Sequence, residues 1–174
     1  MKITSELFQK AIEFAVKAHS KQTRKGDGRP YIVHPFAVML TLAEVKKSKN
    51  AFLLAIVCLL HDVVEDCGIT IEEIAKEFGY QIASLVDELT TNKEECRRLG
   101  KTEYLAQKMF NMSSYALVIK LCDRLNNLSD METLTDEFKK KTIDSTKIIL
   151  ERISKRKLSP THKKLIKLIE KKLK

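Results

Sequence analysis

The sequence has few of the residues that interrupt helices: its 174 residues include five glycines and three prolines. This scarcity argues against a loop-rich β-sandwich and against a low-complexity chain, while a hydrophobic content of 44% argues against disorder. A period-two strand pattern, an internal repeat and a glycine-rich phosphate loop are also missing. The sequence therefore predicts a globular, all-α bundle.

Long hydrophobic runs and paired cysteines are missing as well. The longest apolar run, Ala51–Leu60, is shorter than the roughly 18 residues that a membrane-spanning helix needs. The N-terminus has no pattern of a secretory signal, so a cytoplasmic location without membrane partners is expected. The four cysteines show no C-x-x-C spacing, and a chain of this size needs no disulfide scaffold. We expect reduced thiols, with Cys58 and Cys122 as small core residues.

The net charge of +9 is confined to one end of the chain. Residues 139–174 contain 14 Lys or Arg and 3 Asp or Glu, whereas residues 1–138 contain 18 and 20. The basic segment has no aromatic residue, although single-strand binding usually combines basic groups with stacking rings. A nucleic-acid-binding module is therefore the weaker alternative, and a solvated face on a packed, lysine-rich helix at about 160–174 is the stronger one.

The length predicts a single domain over residues 1–174. Thr70 and Glu73 have the spacing of a capping box, and Ser159 followed by Pro160 indicates the start of a last helix. A basic loop, KQTRKGDGR, interrupts the helical pattern after residue 20. The predicted helices cover about 5–20, 35–46, 50–66, 71–78, 80–90, 94–112, 114–130, 135–157 and 160–174.

Acidic residues cluster at the end of the most apolar predicted helix, 50–66. His61 and Asp62 are adjacent, and Glu65 and Asp66 each follow one of them by four residues, which places them at one end of the helix. Three carboxylates so close together repel one another unless a cation neutralises them. The spacing is not the H-E-x-x-H pattern of zinc proteases. A divalent metal with further ligands from elsewhere in the chain would explain the cluster.

His34, before Pro35, and Asp123, inside an apolar stretch, are the best further ligands. Two His with two Asp suit manganese, iron or zinc better than magnesium or calcium, and Glu65 and Asp66 could then position or deprotonate a water. Metal-assisted hydrolysis is the predicted chemistry. Each residue also has a plainer interpretation: an exposed or satisfied histidine, a solvated helix end, or an ion pair between Asp123 and Arg124.

The spaced pattern His34, His61-Asp62 and Asp123 resembles the H…HD…D signature of HD phosphohydrolases. Longer strings, RKGDGRPYIVHP, LLHDVVED, EEIAKEFG, LVDELT and IKLCDRLNNL, are similar to the hydrolase domain of the RelA/SpoT group. In size the chain resembles the stand-alone small alarmone hydrolases of that group. The resemblance covers about residues 5–130 and implies a bundle of eight to ten helices.

The resemblance also implies an activity and residue roles. The expected reaction is hydrolysis of the 3′-diphosphate of guanosine tetra- or pentaphosphate, with one manganese ion held by His34, His61, Asp62 and Asp123. Zinc or iron remain alternatives. Glu65 and Asp66 match the catalytic acid pair, whereas the residues matched to the nucleotide are Arg24, Lys25 and Asn127.

Two positions depart from the group's pattern. Asn126 stands where relatives usually have His or Tyr, and Cys67 where Thr is common; both positions are expected near the nucleotide. An HD phosphohydrolase acting on another nucleotide, such as NADPH or a nucleoside phosphate, is the leading alternative. Because no synthetase segment follows the domain, a purely degradative activity is expected.

Overall fold

The computed structural model describes residues 3–174, and its regular structure is helical. The predicted all-α fold class is confirmed. Among the described residues, β structure is limited to one isolated antiparallel bridge between Thr23 and Pro30. The eleven helices of this part of the chain are α1 Ser5–Ala18, α2 Val33–Val45, α3 Ala51–Leu60, α4 Val63–Cys67, α5 Ile71–Phe78, α6 Tyr80–Leu89, α7 Lys93–Leu99, α8 Lys101–Asn111, α9 Ser114–Ser129, α10 Asp136–Ser154 and α11 Pro160–Lys172.

Local capping signals fix the helices that were predicted most closely. The Thr70 hydroxyl accepts from the Glu73 backbone N–H, and the Glu73 carboxylate accepts from the Thr70 N–H at 2.7 Å, which completes the capping box of α5. Ser159 caps α11 in the same way, with Pro160 in the first turn. Such short-range hydrogen bonds satisfy the free donors of a helix start.

Two predicted helices are each divided in the structure. The predicted helix 50–66 ends as α3 at Leu60, and α4 begins at Val63 after the pair His61-Asp62. The predicted helix 94–112 divides at Gly100, whose φ of +79° is incompatible with a continuing right-handed helix. α2 begins two residues earlier than predicted, so His34 lies inside its first turn together with Pro35.

The structure divides into two compact units, one of the described residues up to Thr90 and one of Thr91–Lys174. In the first unit, α3 packs against α1, α2 and α6, and seven of its ten residues are buried. In the second unit, α9 packs against α10 and α11. Leu165 and Ile169 of α11 are buried, while its lysines are exposed. The single domain over residues 1–174 stays a prediction.

The cysteines and the helix lengths agree with the composition. All four cysteines are free, and Cys58 and Cys122 are buried. In the part of the chain that the structure describes, no helix combines the length and the apolarity needed to cross a membrane.

Replacing Leu54, which is fully buried in α3, by alanine is expected to lower the free energy of unfolding by about 2–5 kcal/mol, because a cavity is left in the core. Leu40→Ala is the matched control, since Leu40 is 60% exposed on α2. Urea unfolding followed by circular dichroism measures both variants. Equal stability losses in the two would contradict the central position of α3.

Candidate functional site

His61 lies at the C-terminal end of α3 with its side chain 1% exposed. Its ring Nδ1 is 2.7 Å from the carbonyl oxygen of Cys58. A carbonyl oxygen can only accept a hydrogen bond, so Nδ1 donates and carries the proton. This bond fixes the tautomer and leaves the lone pair of the neutral ring on Nε2, as in histidines that bind metals.

The lone pair of His61 faces a carboxylate. Nε2 of His61 lies 3.0 Å from Oδ2 of Asp62, and Nε2 of His34 lies 3.7 Å from the same oxygen. The two imidazole rings are 5.3 Å apart at an angle of 60°. The lone pair of His61 and the carboxylate oxygen repel unless a positive charge lies between them. Two imidazoles with a carboxylate are ligands typical of a divalent transition metal. The three residues of the first unit thus fit a metal ion.

Glu65 and Asp66 lie in the first turn of α4. The sequence had placed them at the C-terminal end of one long helix, where acids oppose the helix dipole. The break at His61-Asp62 instead places them on the separate, five-residue helix α4, away from the C-terminal end of α3. The pKa of Asp66 is raised, first by partial burial and then by the charges of Asp62 and Glu65. Glu65 and Asp66 are therefore close enough to interact electrostatically.

Tyr31 connects these groups, although no role was predicted for it from the sequence. Its hydroxyl donates to Oδ2 of Asp62 at 2.7 Å. Its ring packs against the rings of His19, at 4.9 Å, and of His34, at 5.7 Å. The sequence signal that could have indicated this residue is a tyrosine three residues before the predicted ligand His34.

The basic loop carries the two cations that the resemblance assigned to the nucleotide. The guanidinium carbon of Arg24 lies 5.6 Å from the centroid of the Tyr31 ring, within the range of a cation–π contact. Lys25 is exposed at the turn of the loop. The Gln22 side chain donates to the backbone oxygen of Asp66 at 2.8 Å. The loop therefore contacts Tyr31, which bonds to Asp62, and the helix that carries the acids.

Cys67, one of the two departures, contacts the buried imidazole of His19. Its Sγ is 3.3 Å from Nδ1 of His19. Burial and the charges of Asp66 and Asp62 raise the pKa of Cys67 to about 11. A cysteine with this pKa is a neutral thiol at physiological pH, which makes it a poor nucleophile. Cys67 therefore packs beside the acid pair without adding a charge. Asn126, the other departure, is half-buried on α9.

Asp123 lies on α9 of the second unit and is 7% exposed. Its partner is Lys120, with 2.9 Å between Nζ and Oδ2, while the Asn127 amide donates to its other oxygen. Arg124 was the partner considered from the sequence. Burial lowers the pKa of Arg124, whereas the negative charge of Asp123 raises it. Lys120 was not predicted as this partner, although its spacing of three residues from Asp123 on one helix is visible in the sequence.

Asn127→Ala tests the predicted role of Asp123 as a metal ligand: it is expected to weaken metal binding, because the Asn127 amide donates to the Asp123 carboxylate. Loss of a partner that orients a metal ligand typically costs about 10–100-fold in metal affinity. Asn111→Ala is the control, since the Asn111 amide donates to a backbone carbonyl on α8. Titration of each apoprotein with Mn²⁺ measures the effect. A raised KM for nucleotide with unchanged metal affinity would instead favour the nucleotide contact implied by the resemblance.

Comparison with known proteins gives the family. The HD domain family matches residues 11–157 of this chain. This range includes every predicted metal ligand and both acids. The chain belongs to the HD domain family. The resemblance to the RelA/SpoT hydrolase group is also confirmed, by relatives of similar sequence and by a solved structure of similar fold.

Two curated relatives illustrate this similarity. The guanosine-3′,5′-bis(diphosphate) 3′-pyrophosphohydrolase MESH1 of Homo sapiens is 35% identical over 128 residues, which are 73% of this chain and 70% of the relative. The enzyme of the same activity from Aquifex aeolicus is 35% identical over 151 residues, 82% of this chain. This chain spans about a fifth of the length of that relative and of several other bacterial ones.

A solved structure shares the fold over nearly the whole chain. It belongs to a metazoan ortholog of SpoT that hydrolyses ppGpp and plays a role in starvation responses. The TM-score is 0.80 at 25% sequence identity, and the match covers 98% of each chain. The fold of this HD domain is therefore that of a known ppGpp hydrolase.

Proposed function

We propose that the chain hydrolyses the 3′-diphosphate of guanosine tetra- or pentaphosphate and releases pyrophosphate with GDP or GTP. The observation that carries the proposal is the pair of buried imidazoles whose Nε2 atoms face Oδ2 of Asp62, next to the acid pair of α4. Two relatives with the name of this activity, one matched over 70% of its length, support the choice of substrate.

The proposed metal ligands are His34, His61, Asp62 and Asp123, and the proposed ion is manganese. His34, His61 and Asp123 are buried side chains of the types that hold a metal ion. Mixed imidazole and carboxylate donors suit manganese, iron or zinc. A divalent ion held by these residues would polarise the phosphate and acidify a water.

The residues of the chain supply the remaining chemistry. Asp66 or Glu65 accepts a proton from the attacking water. The water oxygen bonds to the 3′ phosphorus, the bond from this phosphorus to the 3′ oxygen breaks, and a proton reaches the 3′ oxygen. Arg24 and Lys25 offset the charge of the diphosphate.

A nucleotide panel tests the proposal. The purified protein, first stripped with chelator and then loaded with Mn²⁺, is incubated with ppGpp, pppGpp, NADPH, GTP and GDP. We expect pyrophosphate with GDP from ppGpp and none without metal. Phosphate released from NADPH or from a nucleoside phosphate, with ppGpp intact, would overturn the proposal in favour of another HD phosphohydrolase.

Metal analysis of the protein as purified accompanies the panel and compares manganese with zinc and iron. The restoration of activity by each ion, added to the stripped protein, identifies the one that supports turnover. We expect manganese to restore the highest activity. A cytoplasmic location belongs to the same proposal.

A further inference from the structure

The basic loop returns the chain to the metal ligands through a small hairpin. The Arg24 N–H donates to the Arg29 carbonyl at 2.8 Å, and the Tyr31 N–H donates to the Gln22 carbonyl at 2.9 Å. The bridge between Thr23 and Pro30 lies between these two bonds. The hairpin thereby fixes the backbone of Tyr31 immediately before α2.

The hydroxyl of Tyr31 bonds to the oxygen that both imidazoles face. Oδ2 of Asp62 is 2.7 Å from this hydroxyl, 3.0 Å from Nε2 of His61 and 3.7 Å from Nε2 of His34. A carboxylate that accepts from a fixed donor loses its rotation about χ2, so the phenol sets the direction in which Asp62 presents its oxygens. Partners of this kind are part of how proteins tune a metal site.

The ring of Tyr31 makes a second, separable set of contacts. The ring packs against the rings of His19 and His34, and the Arg24 guanidinium lies over it. A cation–π contact limits the positions that the long Arg24 side chain can adopt. The hydroxyl thus acts on a metal ligand and the ring on a cation of the nucleotide site.

We infer that Tyr31 is a positioning residue, which orients Asp62 for the metal through its hydroxyl and Arg24 for the nucleotide through its ring. This inference rests on the proposed function and deepens it. It also assigns the two effects to different parts of one side chain. Two substitutions can therefore separate them.

Tyr31→Phe removes the hydroxyl and keeps the ring, whereas Tyr31→Leu removes both. For Tyr31→Phe we expect Mn²⁺ affinity to fall about 10–100-fold, with KM for ppGpp within about twofold of the wild type once Mn²⁺ is saturating. Activity at low Mn²⁺ is then rescued by excess Mn²⁺. Tyr31→Leu is expected to lose the same Mn²⁺ affinity and in addition to raise KM about tenfold, a loss of the size of a good cation–π contact.

Tyr80→Phe is the matched control, because Tyr80 is 86% exposed at the start of α6. Mn²⁺ affinity is measured on the apoproteins without nucleotide, by the electron paramagnetic resonance signal of free Mn²⁺, and circular dichroism establishes that each variant is folded. Wild-type Mn²⁺ affinity in Tyr31→Phe would overturn the role of the hydroxyl. An unchanged KM in folded Tyr31→Leu would overturn the role of the ring.

The metal measurement also keeps the two proposals apart. A wild-type protein that binds Mn²⁺ but leaves ppGpp intact refutes the proposed function. The difference in Mn²⁺ affinity between wild type and Tyr31→Phe still decides the role of the hydroxyl in that case.

Discussion

His61→Ala is expected to remove bound metal and hydrolysis together. The His61 ring is buried, its Nδ1 is engaged by the Cys58 carbonyl, and its Nε2 is directed at Asp62. Loss of the ligand itself should exceed the effect of losing an orienting partner, so we expect metal affinity to fall by more than about 100-fold. Asp62→Ala is expected to behave alike. Metal content by mass spectrometry and pyrophosphate release measure the two losses.

His162→Gln is the control for the loss of a buried imidazole. His162 is also 1% exposed, but its Nε2 donates to the Ser114 carbonyl and its Nδ1 accepts from the Ser159 N–H. Its replacement should lower the stability of α11 and leave the metal content at the wild-type level. Full hydrolysis by a metal-free His61→Ala protein would refute the proposed mechanism.

Asp66→Asn and Glu65→Gln are expected to keep the metal and to lose turnover. Neither residue is a proposed ligand, and each substitution removes a proton acceptor with almost no change of shape. General acid–base catalysis contributes about 10²–10⁴-fold in rate, and kcat should fall within this range for the residue that accepts the proton. Single-turnover kinetics with saturating Mn²⁺ measures the loss.

Glu72→Gln provides the comparison for these two variants, because Glu72 is an exposed acid in the first turn of α5. It should retain wild-type kcat. The wild type and the three variants must contain the same amount of bound metal. If Asp66→Asn and Glu65→Gln both lose the metal instead, the two acids are ligands, and the division into ligands and proton acceptors is wrong.

Short-range signals explain which parts of the fold were predictable. The bounds of α5 follow from Thr70, Glu73 and Gly79, which act within one or two helical turns. The end of α3 has no such signal, because the apolar run continues through Val63 and Val64 after His61-Asp62. The break at Gly100 did have a sequence signal, because glycine inside a helical pattern favours a helix end. The polar residues on both sides of Gly100, however, continue the helical pattern, so one helix was predicted.

The same distinction applies to the candidate site. His34, His61, Asp62, Glu65 and Asp66 were recognisable from residue type, spacing and the resemblance. Lys120 lies three residues before Asp123 on the same helix, so this partner could have been predicted from spacing. The partner of Asp62 could not, because Tyr31 comes close to it only through a hairpin. Hydrogen bonds formed after the chain has folded leave little trace in a single sequence.

The bond that holds the proton of His61 comes from the main chain. Because the acceptor is the carbonyl of Cys58, no side-chain substitution at position 58 can remove it. The side chain at position 58 therefore contributes only packing, whereas its backbone determines which nitrogen of the histidine is left for the metal. Only a change in the course of α3 itself, such as a proline or an insertion before His61, would reach this contact.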